Sequence, residues 1–236
     1  MDLLRRALFL ALLVMAAGPT GSAQAQPPAP PPIEGNVYSV IYVEVRPAAI
    51  SESLGTLKRY RDATRKEDGN LRSELVQRLD ERHQFVILVV WKDQAAFQSH
   101  GRGAASTEMR EKIAAIRNAP TDARVHAGLA VGPIPSPAAA GAVYVVTHVD
   151  VIPPRKDDGI AAVKQLADDS RRADGNLRFE VVQQGNRPNH FTVVEVWKDA
   201  KAVEAHSMAA ATRGFRDKLA TMTGALYDER KYALRE

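Results

Sequence analysis

The chain is predicted to be an α+β protein made of two β-α-β-β-α-β repeats whose sheets pack face to face within one polypeptide. Three observations predict this. Gly69-Asn70-Leu71-Arg72 recurs as Gly175-Asn176-Leu177-Arg178, and Trp91-Lys92-Asp93 recurs as Trp197-Lys198-Asp199, both at an offset of 106 residues. Tyr38 and Tyr144, Pro47 and Pro153, Glu74 and Glu180, His100 and His206, and Lys112 and Lys218 hold the same register without a gap, which marks a tandem duplication. Each copy alternates β-branched strand patterns with amphipathic stretches punctuated by Gly and Pro. A unit of this size cannot leave a whole apolar sheet face in water, and a second copy of the same sheet supplies the cover.

Residues 37–45 and 143–151 alternate and are rich in Val, Ile and Tyr, so they read as first strands that Pro47 and Pro153 end. Helices follow over 51–66 and 157–172, closed by Gly69 and Gly175. Second strands span 71–79 and 177–184. A turn at 185–189, with 80–83 as its counterpart, leads to the most apolar strands, 85–91 and 191–197. Asp93 and Asp199 are placed to cap a second helix running to about Asn118 and Met222, and fourth strands at 124–131 and 226–234 complete the units. The order is the split βαβ, or ferredoxin-like, arrangement, with both helices on one face of a four-stranded sheet. Repeat 1 is assigned to 37–131 and repeat 2 to 143–236, joined by a Pro/Ala/Gly linker at 132–142.

Composition narrows the function classes. Of 236 residues, 45% are hydrophobic and 25% charged, as in soluble globular proteins. The absence of Cys excludes disulfides, thiolate metal sites, Cys nucleophiles and lipoprotein acylation. The net charge of +4 is spread among interleaved acids and bases, so no basic stripe for nucleic acid is present. Residues 1–25 carry Arg5 and Arg6, an apolar run from Ala7 to Ala17 and the small-residue site Ala23-Gln24-Ala25. They read as a secretory signal cleaved after Ala25, implying a periplasmic or secreted protein with no stable membrane insertion. The Pro-rich segment 26–36 reads as an extended spacer.

The stretch Glu195-Val196-Trp197-Lys198-Asp199 (Val89-Val90-Trp91-Lys92-Asp93 in repeat 1), the following helix with His100 or His206, and the preceding Gly-Asn-Leu start of a strand resemble the antibiotic biosynthesis monooxygenase domain family of the dimeric α/β barrel superfamily. The resemblance covers both repeats. It implies a barrel normally built from two chains, here a pseudo-dimer within one. It also implies oxidation of a small aromatic quinol or phenol by O2 without metal, flavin or other cofactor. Haem-degrading relatives use a first-strand Asn, a helix Trp and a His ligand. Here the helix position holds His100 or His206, the ligand position falls near Arg110 or Arg216, and neither first strand has an Asn after Asn36, so that activity is not implied.

Strand parity assigns Tyr38, Val40, Tyr42 and Glu44 (Tyr144, Val146, His148 and Asp150) to the space between sheets, with Ile41, Val43 and Val45 under the helices. The third strand is expected to add Phe85, Ile87, Val89 and Trp91, or Phe191, Val193, Glu195 and Trp197, to that same space. Candidate catalytic residues are therefore His206, His148, Glu195 and His100: a His near neutrality suits removal of a phenolic proton, and burial raises a carboxyl such as Glu195. Trp197, Trp91, Tyr42, Asn176 and Asn70 are candidate substrate contacts. Repeat 2 is the better equipped, with His148, Asp150, Glu195 and His206 against Tyr42, Glu44, Val89 and His100. His148, Glu195 and His206 also spell a two-His-one-carboxylate metal set, although no metal is expected. The alternative reading is a non-catalytic small-ligand-binding or stress-related barrel.

Overall fold

The computed structural model describes residues 32–134 and 141–236. The signal sequence expected over residues 1–25, most of the Pro-rich spacer and residues 135–140 of the linker lie outside the described residues. Repeat 1 runs β1 (Val37–Glu44), α1 (Ile50–Thr64), β2 (Asn70–Arg78), β3 (Gln84–Trp91), α2 (Gln94–Arg102), α3 (Ala104–Ile116) and β4 (Asp122–Ala130). Repeat 2 runs β5 (Val143–Asp150), α4 (Lys156–Arg171), β6 (Asn176–Gln184), β7 (His190–Trp197), α5 (Ala200–Met208), α6 (Ala210–Ala220) and β8 (Asp228–Leu234). Pro47 and Pro153 end the first strands by opening 3-10 turns that feed α1 and α4. Asp93 and Asp199 accept hydrogen bonds at 2.8 Å from the Ala96 and Ala202 amides, as N-caps do.

The expected second helix is two helices. Gly103 and Ala209 adopt extended backbone (φ −70°, ψ 159° and φ −63°, ψ 146°), each ending one helix and starting the next. In an unbroken helix the residue six positions after a His lies about 240° around the axis. The break instead returns Ser106 to His100, 2.9 Å away, and Thr212 to His206, 3.1 Å away.

All eight strands close into one antiparallel barrel in the order β1-β3-β2-β8-β5-β7-β6-β4. The two sheets face each other as expected and are also joined at their edges. β4 pairs with β6, and β8 pairs with β2 over Val76–Leu234, Gln77–Ala233 and Arg78–Tyr232. Closure removes the edges that an isolated four-stranded sheet would expose. Shifting the strand order by four places maps each repeat onto the other, so a pseudo-two-fold axis runs along the barrel.

The two recurrent sequence motifs form one joint. Gly69 and Gly175 have φ of +79° and +82°, and a Cβ on either would lie 2.7 Å from the Ala96 or Ala202 methyl. Their carbonyls accept from the Lys92 and Lys198 amides. Only Gly meets both demands, which is why Gly-Asn-Leu-Arg and Trp-Lys-Asp recur together.

A bulge follows each joint, between Asn70 and Arg72 and between Asn176 and Arg178. It turns Leu71 and Leu177 outward, 43% and 50% exposed, and sends Arg72 and Arg178 into the barrel. There Arg72 donates to both Glu180 oxygens at 2.9 and 2.6 Å, and Arg178 to both Glu74 oxygens at 3.2 and 2.7 Å. Each Arg Nε also lies 3.4 or 3.5 Å from the Glu on its own strand, and the Tyr144 hydroxyl donates to Glu74 at 2.8 Å. This ring of four buried charges sits among Val40, Leu88, Val146, Val194 and Val196, so the barrel centre is filled.

Removing one member strands its buried partner, at a cost of about 3–5 kcal/mol, whereas an apolar pair of similar volume is close to neutral. Glu74→Leu is therefore expected to lose about that much stability in urea unfolding. The double variant Glu74→Leu, Arg178→Leu is expected to recover most of the loss; a double variant no better than the single one would contradict the pairing.

Candidate functional site

Strand β3 pairs with β1 so that Val86 opposes Tyr42 and Ile87 opposes Ile41. Opposed residues share a face. Val86, Leu88 and Val90 therefore face the barrel with Tyr42, and Phe85, Ile87, Val89 and Trp91 lie under the helices. Repeat 2 behaves alike, with Val194 and Val196 in the barrel and Phe191, Val193 and Trp197 in the helix-side core. The third-strand assignment is thus corrected by one residue. A strand apolar on both faces carries no alternation from which parity can be read. Glu195 and Trp197 leave the space between sheets, while His148 stays in it. The metal set of His148, Glu195 and His206 is consequently split across the two faces of the sheet.

Glu195, Trp197 and His206 do meet, on the helix side. Trp197 Nε1 donates to Glu195 Oε2 at 2.8 Å, and His206 Nδ1 lies 3.3 Å from the same oxygen. The other ring nitrogen, Nε2, contacts the hydroxyls of Ser170 at 2.9 Å and Thr212 at 3.1 Å. Repeat 1 builds the same figure from different residues. His100 Nδ1 lies 2.9 Å from Glu67 Oε2, and Nε2 contacts the Tyr60 hydroxyl at 2.8 Å and Ser106 at 2.9 Å. Each imidazole stacks on its Trp, with centroids 4.6 Å apart for Trp91 and 4.4 Å for Trp197.

In the tautomer with its proton on Nδ1, each Nε2 accepts from the two hydroxyls. His100 is hydrogen-bonded at both ring nitrogens, His206 at Nε2 with Nδ1 beside Glu195, and the two are only 6% and 7% exposed. Burial pushes the Glu195 carboxyl up to about 8 and brings His206 down to about 4. These clusters have the character of internal struts. Asn70 and Asn176 reach the carbonyls of Arg72 and Arg178 at 3.5 and 3.4 Å and so belong to the bulges.

Larger clefts of about 400 and 620 Å³ lie outside the barrel, beside Phe97 and Gly185 and between α4 and α6; within the barrel, open space lies at one mouth. A cavity of about 340 Å³ is lined there by Tyr42, Asp122, Arg124, Val146, His148, Leu226, Asp228 and Arg230. The ends of β1 and β5 meet the starts of β4 and β8 at this point, with Tyr42 opposite Asp122 and His148 opposite Asp228. Arg124 is held by Asp122 at 2.8 and 2.7 Å and lies 5.0 Å over the Tyr42 ring. Arg230 is held by Asp228 in the same way.

Beside the cavity, Asp150 Oδ1 lies 3.3 Å from His190 Nε2, and His190 Nδ1 lies 3.1 Å from His148 Nε2. The Asp150 carboxylate beside Nε2 favours the His190 proton on that nitrogen, and in this tautomer Nδ1 accepts from His148 Nε2–H. His148 Nδ1 is left as a lone pair. That atom and Arg124 Nη1 are both buried and lack a hydrogen-bond partner among the described residues. Burial, then Arg124 and His190, bring His148 down to about 4, so it is neutral at physiological pH.

Sequence reading placed Tyr42 and His148 together, and so they are. It missed Arg124 and Arg230, although Asp122-Ala123-Arg124 and Asp228-Glu229-Arg230 keep the 106-residue offset and would have flagged them. It also passed over His190, which fell between the turn expected at 185–189 and the strand expected at 191–197.

Glu195 gives the helix-side test. Glu195→Gln keeps a carbonyl for Trp197 Nε1 and His206 Nδ1 and is expected to be near neutral in stability at pH 7. Glu195→Val, the residue repeat 1 carries at Val89, leaves both donors unpaired and is expected to cost about 1–3 kcal/mol. Urea unfolding of the two variants decides it; equal stability would mean that the carboxyl supports nothing.

The comparisons with known proteins agree with this architecture. The family model described as antibiotic biosynthesis monooxygenase matches residues 36–112 and again 142–218. The Bacillus subtilis (strain 168) protein named "Putative monooxygenase YcnE" is 31% identical over 73 residues, covering 31% of this chain and 77% of that protein. A solved structure of the same description from Fusobacterium nucleatum aligns over 86% of this chain and 93% of its own, with a TM-score of 0.76 at 16% identity. An "anthrone oxidase-like protein" aligns over 86% and 92%, with a TM-score of 0.68 at 12% identity. At such identities the structural likeness speaks for the fold, and in both cases it spans the two units together. Matched in each of its halves by one family model, the chain belongs to the antibiotic biosynthesis monooxygenase family.

Proposed function

We propose that this family member oxidises a small aromatic quinol or phenol with O2, and that the reaction takes place at the barrel mouth. One observation carries the reading: the Asp150–His190–His148 chain ends in a bare imidazole nitrogen beside the cavity, with an unpartnered Arg124 N–H at the same site. A phenolic hydroxyl fits both. Its proton goes to His148 Nδ1 and its oxygen accepts from Arg124 Nη1.

The relay to Asp150 stabilises the imidazolium that forms, and the guanidinium stabilises the phenolate. Arg124 thereby offsets the low basicity it imposes on His148. The electron-rich anion then reduces O2. One oxygen atom replaces a ring hydrogen and becomes a carbonyl, and the other leaves as water, so phenol plus O2 gives quinone plus water with no added reductant. Tyr42 forms an aromatic wall, and its own phenol is pushed up by burial, which keeps it protonated.

Oxygen-electrode assays on simple hydroquinones and anthrone-like phenols test this. His148→Ala is expected to lower kcat/KM by about 10²–10⁴-fold. The double variant His100→Ala, His206→Ala is expected to retain turnover wherever it remains folded. Because His148 must be unprotonated to act, activity is present above about 4 and lost as pH falls through that value, well below the usual imidazole range. An acid limb near 6.5 would remove His148 from this role. Tight ligand binding without oxygen uptake above the autoxidation blank would favour the non-catalytic binding barrel.

We also propose export, from the pattern in residues 1–25; intact mass of the protein from a periplasmic or culture fraction is expected to begin at Gln26.

A further inference from the structure

We infer that His148, His190 and Asp150 form a binding site for one divalent transition-metal ion at the mouth of the barrel. One ligand atom from each lies within 4.8 Å of the others. The nitrogens His148 Nε2 and His190 Nδ1 are 3.1 Å apart. Two ligands at about 2.0–2.1 Å from a tetrahedral ion stand about 3.3 Å apart, so the imidazole pair is already spaced for the ion. Asp150 is the third ligand: its carboxylate, now 3.3 Å from His190 Nε2, exchanges that contact for the ion.

The scaffold is rigid. Asp150 and His190 are directly paired across β5 and β7, and His148 follows on the same face two residues away. Two imidazoles and a carboxylate suit Zn²⁺, Co²⁺, Ni²⁺ or Cu²⁺ better than Ca²⁺ or Mg²⁺, which prefer oxygen. The charges suit it too. Asp122, Asp150 and Asp228 balance Arg124, Arg187 and Arg230, so no net positive charge opposes the ion. Burial lowers both His, which keeps their lone pairs free of protons.

Repeat 1 supplies an internal control. At the three corresponding positions it has Tyr42, Gln84 and Glu44, with no imidazole, so the fold by itself does not require this set. The proposal rests on the phenol reading in one respect only: both use His148. A bound ion takes the lone pair of His190 Nδ1 and, by binding His148 at Nε2, moves that ring's proton to Nδ1, so the relay is dismantled and the base is lost. Metal occupancy and proton abstraction are therefore alternatives at one site.

The test uses untagged full-length protein, stripped with chelator, desalted and titrated with CoCl2 while its visible ligand-field bands are followed. One equivalent of Co²⁺ is expected, displaced by Zn²⁺. His190→Gln, which installs the repeat 1 residue, is expected to weaken Co²⁺ binding by at least about 10–100-fold with unchanged circular dichroism. Asp150→Asn is the second variant should His190→Gln not fold, with the same direction expected. Absence of ligand-field bands, or equal affinity in wild type and folded variant, overturns the site. Co²⁺ binding by a protein that takes up no oxygen even when metal-free keeps the site and removes the phenol reading. Oxygen uptake that saturating Zn²⁺ leaves unchanged overturns occupancy of this site by the ion.

Discussion

Two arginines and two glutamates with no water to turn to must satisfy one another, and only the union of both repeats lets them. Each bidentate pair crosses from one repeat to the other, Arg72 to Glu180 and Arg178 to Glu74. Neither sheet alone could bury its own Arg and Glu with two-point partners. Such a ring adds little net stability compared with apolar side chains, but a mispaired register leaves a charge stranded at a cost of several kcal/mol. It therefore acts as a key to alignment. The bulges that swing Arg72 and Arg178 inward, the edge pairings of β4 with β6 and β8 with β2, and the closed barrel all follow from that alignment.

The same ring decides where a ligand can go. Charges and Val side chains fill the middle of the barrel, and the Trp–His clusters fill the space beneath the helices. What remains within the barrel is the mouth, where the strands start and stop and the side chains are Tyr, His, Arg and Asp. Its geometry is inherited from the strand pairing: Arg124 opposes Val40 and Arg230 opposes Val146, so both guanidinium groups face inward. The chemistry proposed for this family member depends on a region that the packed centre could not use.

Much of this was legible in the amino-acid order. The 106-residue offset gave the duplication, Asp93 and Asp199 gave helix starts, and the first-strand alternation correctly turned Tyr42 and His148 to the inside. The failures have physical causes. Strand β3 is apolar on both faces, so its parity is set by pairing with β1 and is invisible along the chain. A bulge inverts the usual rule by exposing Leu71 and burying Arg72, and no local signal in the sequence marks an extra residue in a strand. The break at Ala209 has no Gly or Pro; it follows from the hydroxyl that Thr212 offers to His206. Glu67 and Glu195 perform one task from positions that are not repeat-related, so comparing the copies could not find it.

The mouth lies on the pseudo-two-fold axis, where a pair of identical chains would be obliged to present the same groups twice. A ligand there would meet two equal walls and settle in either of two poses related by a half-turn, with no preference. Fusion of the copies lets one wall carry Tyr42, Gln84 and Glu44 while the other carries His148, His190 and Asp150. The degeneracy is lifted. An asymmetric guest on the axis now has a front and a back, and a single orientation can be selected without a second subunit having to break step.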